Sequence, residues 1–303
     1  MKRLLLALAI VVCALSFMHS NSSFNTMNQS NHADLVVFSY DRPLQLYAFL
    51  ESVYKYITDI HDIHVVYRCS SAAYDQGYTI VKEDFPSVVF HKQNNIADFK
   101  HLTLKASFQS SSKYILFAVD DIIIKDSVNI SYCIDALERY SAYGFYLRLG
   151  KNLTHCYSWG SIAQPLPPLQ KEEDDIYSWQ FKYGKFDWNY LNTVDMTLYR
   201  KKDVYDDFYL FNYANPNKLE DIWNIKGQRA KGDRIGLCFT DSKIVNLPLN
   251  RVQHDYNNRA MQEWKVNDLL AIFIEGKKMD IEPLSKVKNQ AAHMEYSPQF
   301  ITR

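Results

Sequence analysis

Asp34-Leu-Val-Val-Phe-Ser-Tyr40 is a short apolar run that passes directly into Asp41-Arg42-Pro43, and together they read as a buried parallel strand feeding a helix. Asp41 is placed as the helix cap and Pro43 at the first helical position, where its missing N–H leaves no bond unmade. Leu46, Phe49, Leu50, Val53 and Ile57 then recur at helical spacing as one apolar stripe. Working outward, Ile63–Arg68 reads as a second strand, followed by a polar helical segment to Asp84. Pro86 ends that segment and Val88–Phe90 supplies a third strand. Phe99, Leu102, Thr103 and Ala106 mark the next helix. It leads to a fourth strand, Tyr114–Val119, which runs straight into Asp120 and Asp121. Ile130, Ile134 and Leu137 mark another helix before the β-rich Tyr143–Leu149. This alternation predicts an α/β fold with a twisted, mainly parallel sheet and helices on both faces.

Beyond residue 150 the texture changes. Gln164-Pro-Leu-Pro-Pro168 reads as a rigid loop and Lys171–Asp175 as a solvated charge run. Ile176–Phe181 and Thr193–Tyr199 look like strands, and helices are expected over Lys202–Phe211, Lys218–Lys226 and Ala260–Phe273. Phe186-Asp-Trp-Asn-Tyr-Leu-Asn192 fits either an acceptor wall, since aromatic faces stack on sugar C–H groups, or plain core packing at Trp188. The last twenty residues carry little pattern. The expected organisation is a leader over 1–20, a tether over 21–33, one domain over 34–280 and a tail over 281–303.

The composition excludes two classes. With 47% hydrophobic and 22% charged residues the chain is not disordered as a whole. Its 34 basic and 34 acidic side chains balance and show no basic cluster, which argues against a nucleic-acid partner. Met1-Lys2-Arg3 precedes an unbroken apolar run, Leu4–Met18, and an Asn/Ser-rich exit. That order reads as a signal peptide or a short membrane anchor, because fifteen residues at about 1.5 Å each fall short of a ~30 Å hydrocarbon core. The expectation is an exported or membrane-associated protein. Cys69, Cys133, Cys156 and Cys238 lack metal-type spacing; in an oxidising compartment two disulfides would be available to them.

The chemistry gathers at strand ends. Ligands in open α/β sheets bind beyond the carboxyl ends of strands, and Asp120-Asp121 there offers oxygen ligands for a divalent cation; the same pair also suits an ordinary turn. The succession of apolar strand, Ser39-Tyr-Asp-Arg-Pro43, helix, second strand and a later strand ending in Asp-Asp resembles the GT-A fold of nucleotide-sugar glycosyltransferases, and within it the inverting, family-2-like members. The resemblance runs from Asp34 to about Asn258.

It implies a nucleotide-sugar donor, a glycan or other hydroxyl acceptor, and Mn²⁺ or Mg²⁺ on the donor diphosphate. Asp121 would hold the metal and Asp120 would face the ribose or metal-bound water, with Val119 standing where the family has its first acidic residue. Asp41 and Arg42 would contact base and diphosphate, with Arg68 a further candidate for that pocket, and His254 would be a late metal ligand. Lys218-Leu-Glu-Asp-Ile-Trp223 resembles the segment that supplies the base, with Asp221 first and Glu220 second; an acidic helix start reads the same way. The Gln-x-x-Arg-Trp signature of processive polymerisation is absent, so transfer of a single sugar is expected. A non-catalytic carbohydrate- or partner-binding domain, or a metal-dependent phosphotransferase or hydrolase, would use the same acids.

Overall fold

A computed structural model describes residues 32–253, 255–256, 259–261 and 263–303, with backbone alone over 228–231. The apolar run at the N-terminus and His254 lie outside the described residues. Among the described residues no helix is long and apolar enough to cross a membrane.

The core is one nine-stranded sheet. Its strands are β1 (Ala33–Tyr40), β2 (Ile60–Arg68), β3 (Val89–Lys92), β4 (Tyr114–Val119), β5 (Gly144–Tyr146), β6 (Gln170–Lys171), β7 (Ile176–Gln180), β8 (Thr197–Arg200) and β9 (Ile235–Phe239). They lie in the order β6-β7-β9-β5-β8-β4-β1-β2-β3. Pairing is parallel from β4 through β1 and β2 to β3, and again between β5 and β9. β8 and β7 are antiparallel to both their neighbours, so seven of the nine strands share one direction. The mainly parallel α/β sheet expected from the sequence is the one observed.

Alternation along β1 shows why helices cover both faces. Leu35 and Val37 join the cluster under α1 (Pro43–Tyr56), α2 (Ala72–Asp84) and α7 (Val266–Ile274), with α4 (Ile130–Arg139) on the same side. Val36 and Phe38 join the opposite cluster under α3 (Asp98–Phe108), α5 (Lys201–Leu210) and α6 (Pro216–Lys231). A strand buried on both faces has to be apolar at every position, which is how residues 35–38 read. α1 buries Leu46, Phe49, Leu50 and Val53, each worth about 1.5–3 kcal/mol relative to exposure.

Several expectations need correction. Arg42, not Asp41, caps α1, and it does so without a side-chain bond. Asp41 takes a left-handed backbone, φ 54°, and its Oδ1 accepts from Ser70 N at 2.7 Å, tying the end of β1 to the loop after β2. The strand expected over Thr193–Tyr199 is confined to β8, with a loop before it that turns through a left-handed Met196, φ 45°. The helix expected from Ala260 begins only at Val266. Residues 281–303 are no tail. Phe300–Thr302 pairs with Lys277–Met279, Ala292 is buried, and His293 bridges to Asn246. All four described cysteines are free thiols.

On the edge of the sheet, His64 Nδ1 lies 3.1 Å from His91 Nε2, with the rings stacked at 5.3 Å. Burial lowers the affinity of both for a proton; for His91, burial, His64 and Lys105 bring the pKa to about 4. In the unfolded chain both would titrate near their ordinary value, so the unfolded state binds more protons between about pH 6.5 and 4. Stability should therefore fall as pH drops through that window. Urea unfolding at pH 7 and pH 5 should show a smaller loss for His91→Gln than for the parent. The difference between the two chains isolates the pair from other groups titrating in that range.

Candidate active site

Where β1, β2 and β4 end, a cleft of about 950 Å³ opens. Its floor comes from Ser39 and Tyr40 at the end of β1 with Arg42 just beyond, Arg68 at the end of β2, and Val119 at the end of β4 with Asp120 and Asp121 just beyond. Parallel strands deliver these residues side by side because their carboxyl ends coincide.

Arg42 organises the floor. Its Nη1 lies 3.1 Å from both Asp120 Oδ1 and Asp121 Oδ2, its Nε donates to Asn250 Oδ1 at 3.0 Å, and its Nη2 donates to the Asn250 carbonyl. Asp120 Oδ2 also accepts from Ser39 Oγ at 2.8 Å and from Tyr40 N at 3.3 Å, and Ser39 Oγ continues to Tyr78 Oη at 2.7 Å. Burial raises the Asp120 pKa to about 6, with Arg42 opposing the rise and Asp121 adding to it. Asp121 is less enclosed, its side chain 19% exposed, so it is the floor carboxylate open to a ligand. The Arg68 guanidinium carbon lies over the Tyr40 ring, 4.1 Å from its centroid. Asp41 does not line the cleft. Nor does Lys100, whose ammonium donates to the carbonyls of Tyr209 and Phe211.

α6 builds the opposite wall. Asn215 Oδ1 accepts from Lys218 N at 2.9 Å and Pro216 opens the helix, an N-cap followed by a proline at its first position. Leu219 and Trp223, four apart, are buried against the core and fix the helix rotation. Glu220 is thereby turned into the cleft, where its Oε1 accepts from Val194 N at 2.9 Å. Asp221 is turned past it, does not line the cleft, and accepts from Tyr256 Oη at 3.0 Å. The expected order of the two acids is thus reversed by position: Glu220 is the one facing the cavity.

Sequence reasoning missed Asp195, Arg148 and His293, all of which line the cleft. Asp195 sits on the loop misread as strand. Burial raises its pKa, with His293 and Arg148 opposing and Asp121 reinforcing. Glu220 is raised to about 7 by burial and then by Asp195. The Arg148 guanidinium is buried and donates to the carbonyls of Asp187 and Tyr190, both at 3.1 Å. His293 stacks on Tyr157 at 5.6 Å. No motif surrounds any of the three. Of the expected acceptor wall, Phe186, Asp187 and Tyr190 line the cleft while Trp188 is core.

Three buried polar atoms of cleft residues have no hydrogen-bond partner: Arg148 Nε, Asn246 Oδ1 and Asn250 Nδ2. Unmet polar atoms beside a cavity are what a polar ligand would satisfy. Asp121, Asp195 and Asn246 offer hard oxygen donors suited to Mg²⁺ or Mn²⁺. Elsewhere, Asp34, His61 and Asp62 place ligand atoms within 4.8 Å of one another at the starts of β1 and β2. That group sits at the opposite strand ends from the cleft, and Asp34 is already paired with Lys201 at 2.6 Å.

Comparison with known proteins adds a direction. The chain is 28% identical over 289 residues to the bifunctional glycosyltransferase pgtA of Dictyostelium discoideum, across 84% of this chain. The similarity is to a glycosyltransferase. This chain spans 37% of that protein's length. No protein-family model matches. Among solved structures, S. aureus TarS 1–349 in complex with UDP-GlcNAc aligns at TM-score 0.42 and 14% identity, over 80% of this chain and 66% of that one. A mannosyltransferase from Pyrobaculum calidifontis in complex with GDP-Man and Mn²⁺ aligns at 0.40 and 8%, over 70% and 56%. Likenesses this distant carry no weight for the activity.

Removing Arg42 would leave Asp120 and Asp121 without their shared cation. Arg42→Gln should destabilise the fold by about 3–5 kcal/mol, the usual effect of breaking a buried pair. Adding Asp120→Asn should restore part of the loss, read as the midpoint of urea unfolding.

Proposed function

We propose that the chain is an inverting glycosyltransferase that moves one sugar from a nucleoside-diphosphate donor to a hydroxyl acceptor. The observation that carries this reading is the single cleft that gathers the Arg42–Asp120–Asp121 floor and Glu220, in a chain similar to a glycosyltransferase over most of its length. The Leu4–Met18 run would place the enzyme in an exported or membrane-associated setting.

In this reading the donor diphosphate lies over the ends of β1 and β4, near Arg68 and Asp121, and its base lies toward the end of β2. Asp121, with Asp195 and Asn246 nearby on the cleft wall, would hold a divalent cation, which when bound supplies Lewis-acid stabilisation to the departing diphosphate. Arg42 fixes Asp120 and Asp121 and is itself neutralised by them, so it acts by positioning.

Glu220 is assigned as the base. Its carboxylate accepts the proton of the acceptor hydroxyl as that oxygen bonds to the anomeric carbon and the carbon–oxygen bond to the diphosphate breaks. A base must be ionised to act, and a group titrating near pH 7 is well matched to the task. Burial, and after it the like charge of Asp195, keeps Glu220 basic, and the Val194 N–H holds it in place.

Three measurements test the reading. Glu220→Gln should retain nucleotide affinity and lose transfer by about 10²–10⁴-fold, whereas Asp221→Asn should change it little. UDP or GDP release with candidate acceptors reads both variants, and the reverse result would return the base to Asp221. The parent kcat should fall with decreasing pH below about 7 as Glu220 takes up a proton. Asp121→Ala should abolish Mn²⁺-dependent UDP or GDP binding in calorimetry; unchanged affinity would remove Asp121 from the donor site.

A further inference from the structure

Opposite the diphosphate half of the cleft stands an aromatic lip, in which Phe186 of the segment read as an acceptor wall meets Trp159, a residue the sequence did not single out. Tyr157–Trp159 forms a single 3₁₀ turn that closes on Gly160, φ 82°, and continues through a left-handed Ser161, φ 59°. This backbone leaves Trp159 67% exposed at the cleft, while Trp179, Trp188 and Trp223 are core and Trp264 packs against it. Facing it, Phe186 also has a left-handed backbone, φ 52°, which a bulky side chain rarely adopts. The two rings meet at 5.9 Å and 56°.

Strain in non-glycine backbone persists only where the surroundings over-determine it, and it clusters at binding sites. Both turns are braced. Arg148 holds the carbonyls of Asp187 and Tyr190 behind Phe186, and Arg259 donates to Ser161 Oγ at 3.0 Å while covering the Tyr157 ring at 4.4 Å. The fold thus holds a large apolar ring in water, at a cavity whose lining mixes apolar side chains with carboxylates, amides and guanidinium groups. A ligand matching that surface has an apolar face and a polar rim. A pyranose ring has both: a face of C–H groups and hydroxyls around its edge.

We propose that Trp159 and Phe186 are the acceptor platform, and that the acceptor hydroxyl is carried by a sugar whose ring stacks on Trp159. The proposal rests on the transfer reading above and names its acceptor class. Sugar hydroxyls at the rim face Ser158 and Asp187, and the attacking hydroxyl points inward toward Glu220. A peptide hydroxyl or a small polyol has no such face and gains nothing from the ring.

Trp159 is its own reporter, being the strongly exposed indole among the described residues. The full-length protein, with Mn²⁺ and UDP or GDP saturating, is titrated with methyl glycosides of glucose, galactose, mannose and N-acetylglucosamine, with lactose and cellobiose, and with glycerol and a threonine peptide as controls. At least one sugar should give a saturable change in tryptophan emission. The controls should give none, and Trp159→Ala should lose the change while its thermal unfolding stays parental. In the nucleotide-release assay Trp159→Ala should raise the acceptor KM at least about tenfold, far more than the donor KM, with Trp159→Phe intermediate.

An emission change with UDP or GDP alone that vanishes in Trp159→Ala would assign the ring to the donor base and overturn the platform. So would a panel in which no sugar perturbs emission. If nucleotide is released to a non-sugar hydroxyl and Trp159→Ala leaves that acceptor's KM unchanged, the platform fails while transfer stands. If sugars perturb Trp159 but no nucleotide sugar is turned over, transfer fails while the platform stands.

Discussion

One guanidinium, that of Arg42, sets the geometry on which the cleft depends. Two adjacent carboxylates at the end of β4 would repel each other, and the buried Asp120 would be hard to keep ionised alone. Arg42 supplies the missing charge in a planar fork and spends its remaining donors on Asn250. Because that asparagine belongs to the chain after β9, a single side chain joins the first strand's exit to the last third of the molecule. The pattern of contacts also divides labour between the acids. Asp120 is saturated by Ser39, Tyr40 and Arg42 and holds shape, while Asp121 keeps partial access to the cavity.

The far wall follows the opposite logic. Asp195 and Glu220 are carboxylates raised by burial first, then by the like charge of Asp121 on Asp195 and of Asp195 on Glu220, with Arg148 as the nearby cation that moderates both. Arg148 is committed to backbone carbonyls and to Asp187, so it does not quench either acid fully. A floor of neutralised charge faces a wall of carboxylates that burial makes easier to protonate. That asymmetry suits a site in which one side carries a diphosphate and the other receives a proton.

Much of this was legible in the sequence where a local rule had only one solution. The apolar run of β1 had to be buried on both faces, the stripe from Leu46 to Val53 had to meet a sheet, and Asp120-Asp121 had to sit at a strand end. The failures share a cause, which is that side-chain direction is set by distant contacts. Glu220 and Asp221 are equivalent in a one-dimensional reading, and only the burial of Leu219 and Trp223 decides which of them faces the cavity. Thr193–Tyr199 has strand composition throughout, yet the turn at Met196 throws Asp195 into the cleft. Asp41 has the chemistry of a cap but finds Ser70 N instead. His293 and Trp159 carry no motif at all, since each owes its place to what a remote segment packs beneath it.

The link between Arg42 and Asn250 spans 208 positions, and the bridge from Asn246 to His293 brings still later chain to the same cleft. Contacts of such sequence separation form only after the loop between them has closed, so they add to the folding barrier more than to the speed of collapse. During synthesis the β1–β4 half can assemble its parallel strands while the residues that complete the pocket are still being added. Until Asn250 arrives, the Asp120–Asp121 corner holds its cation on one side only. The pocket is therefore among the last parts of the protein to mature, and an incompletely synthesised chain would have most of the sheet but no formed binding site.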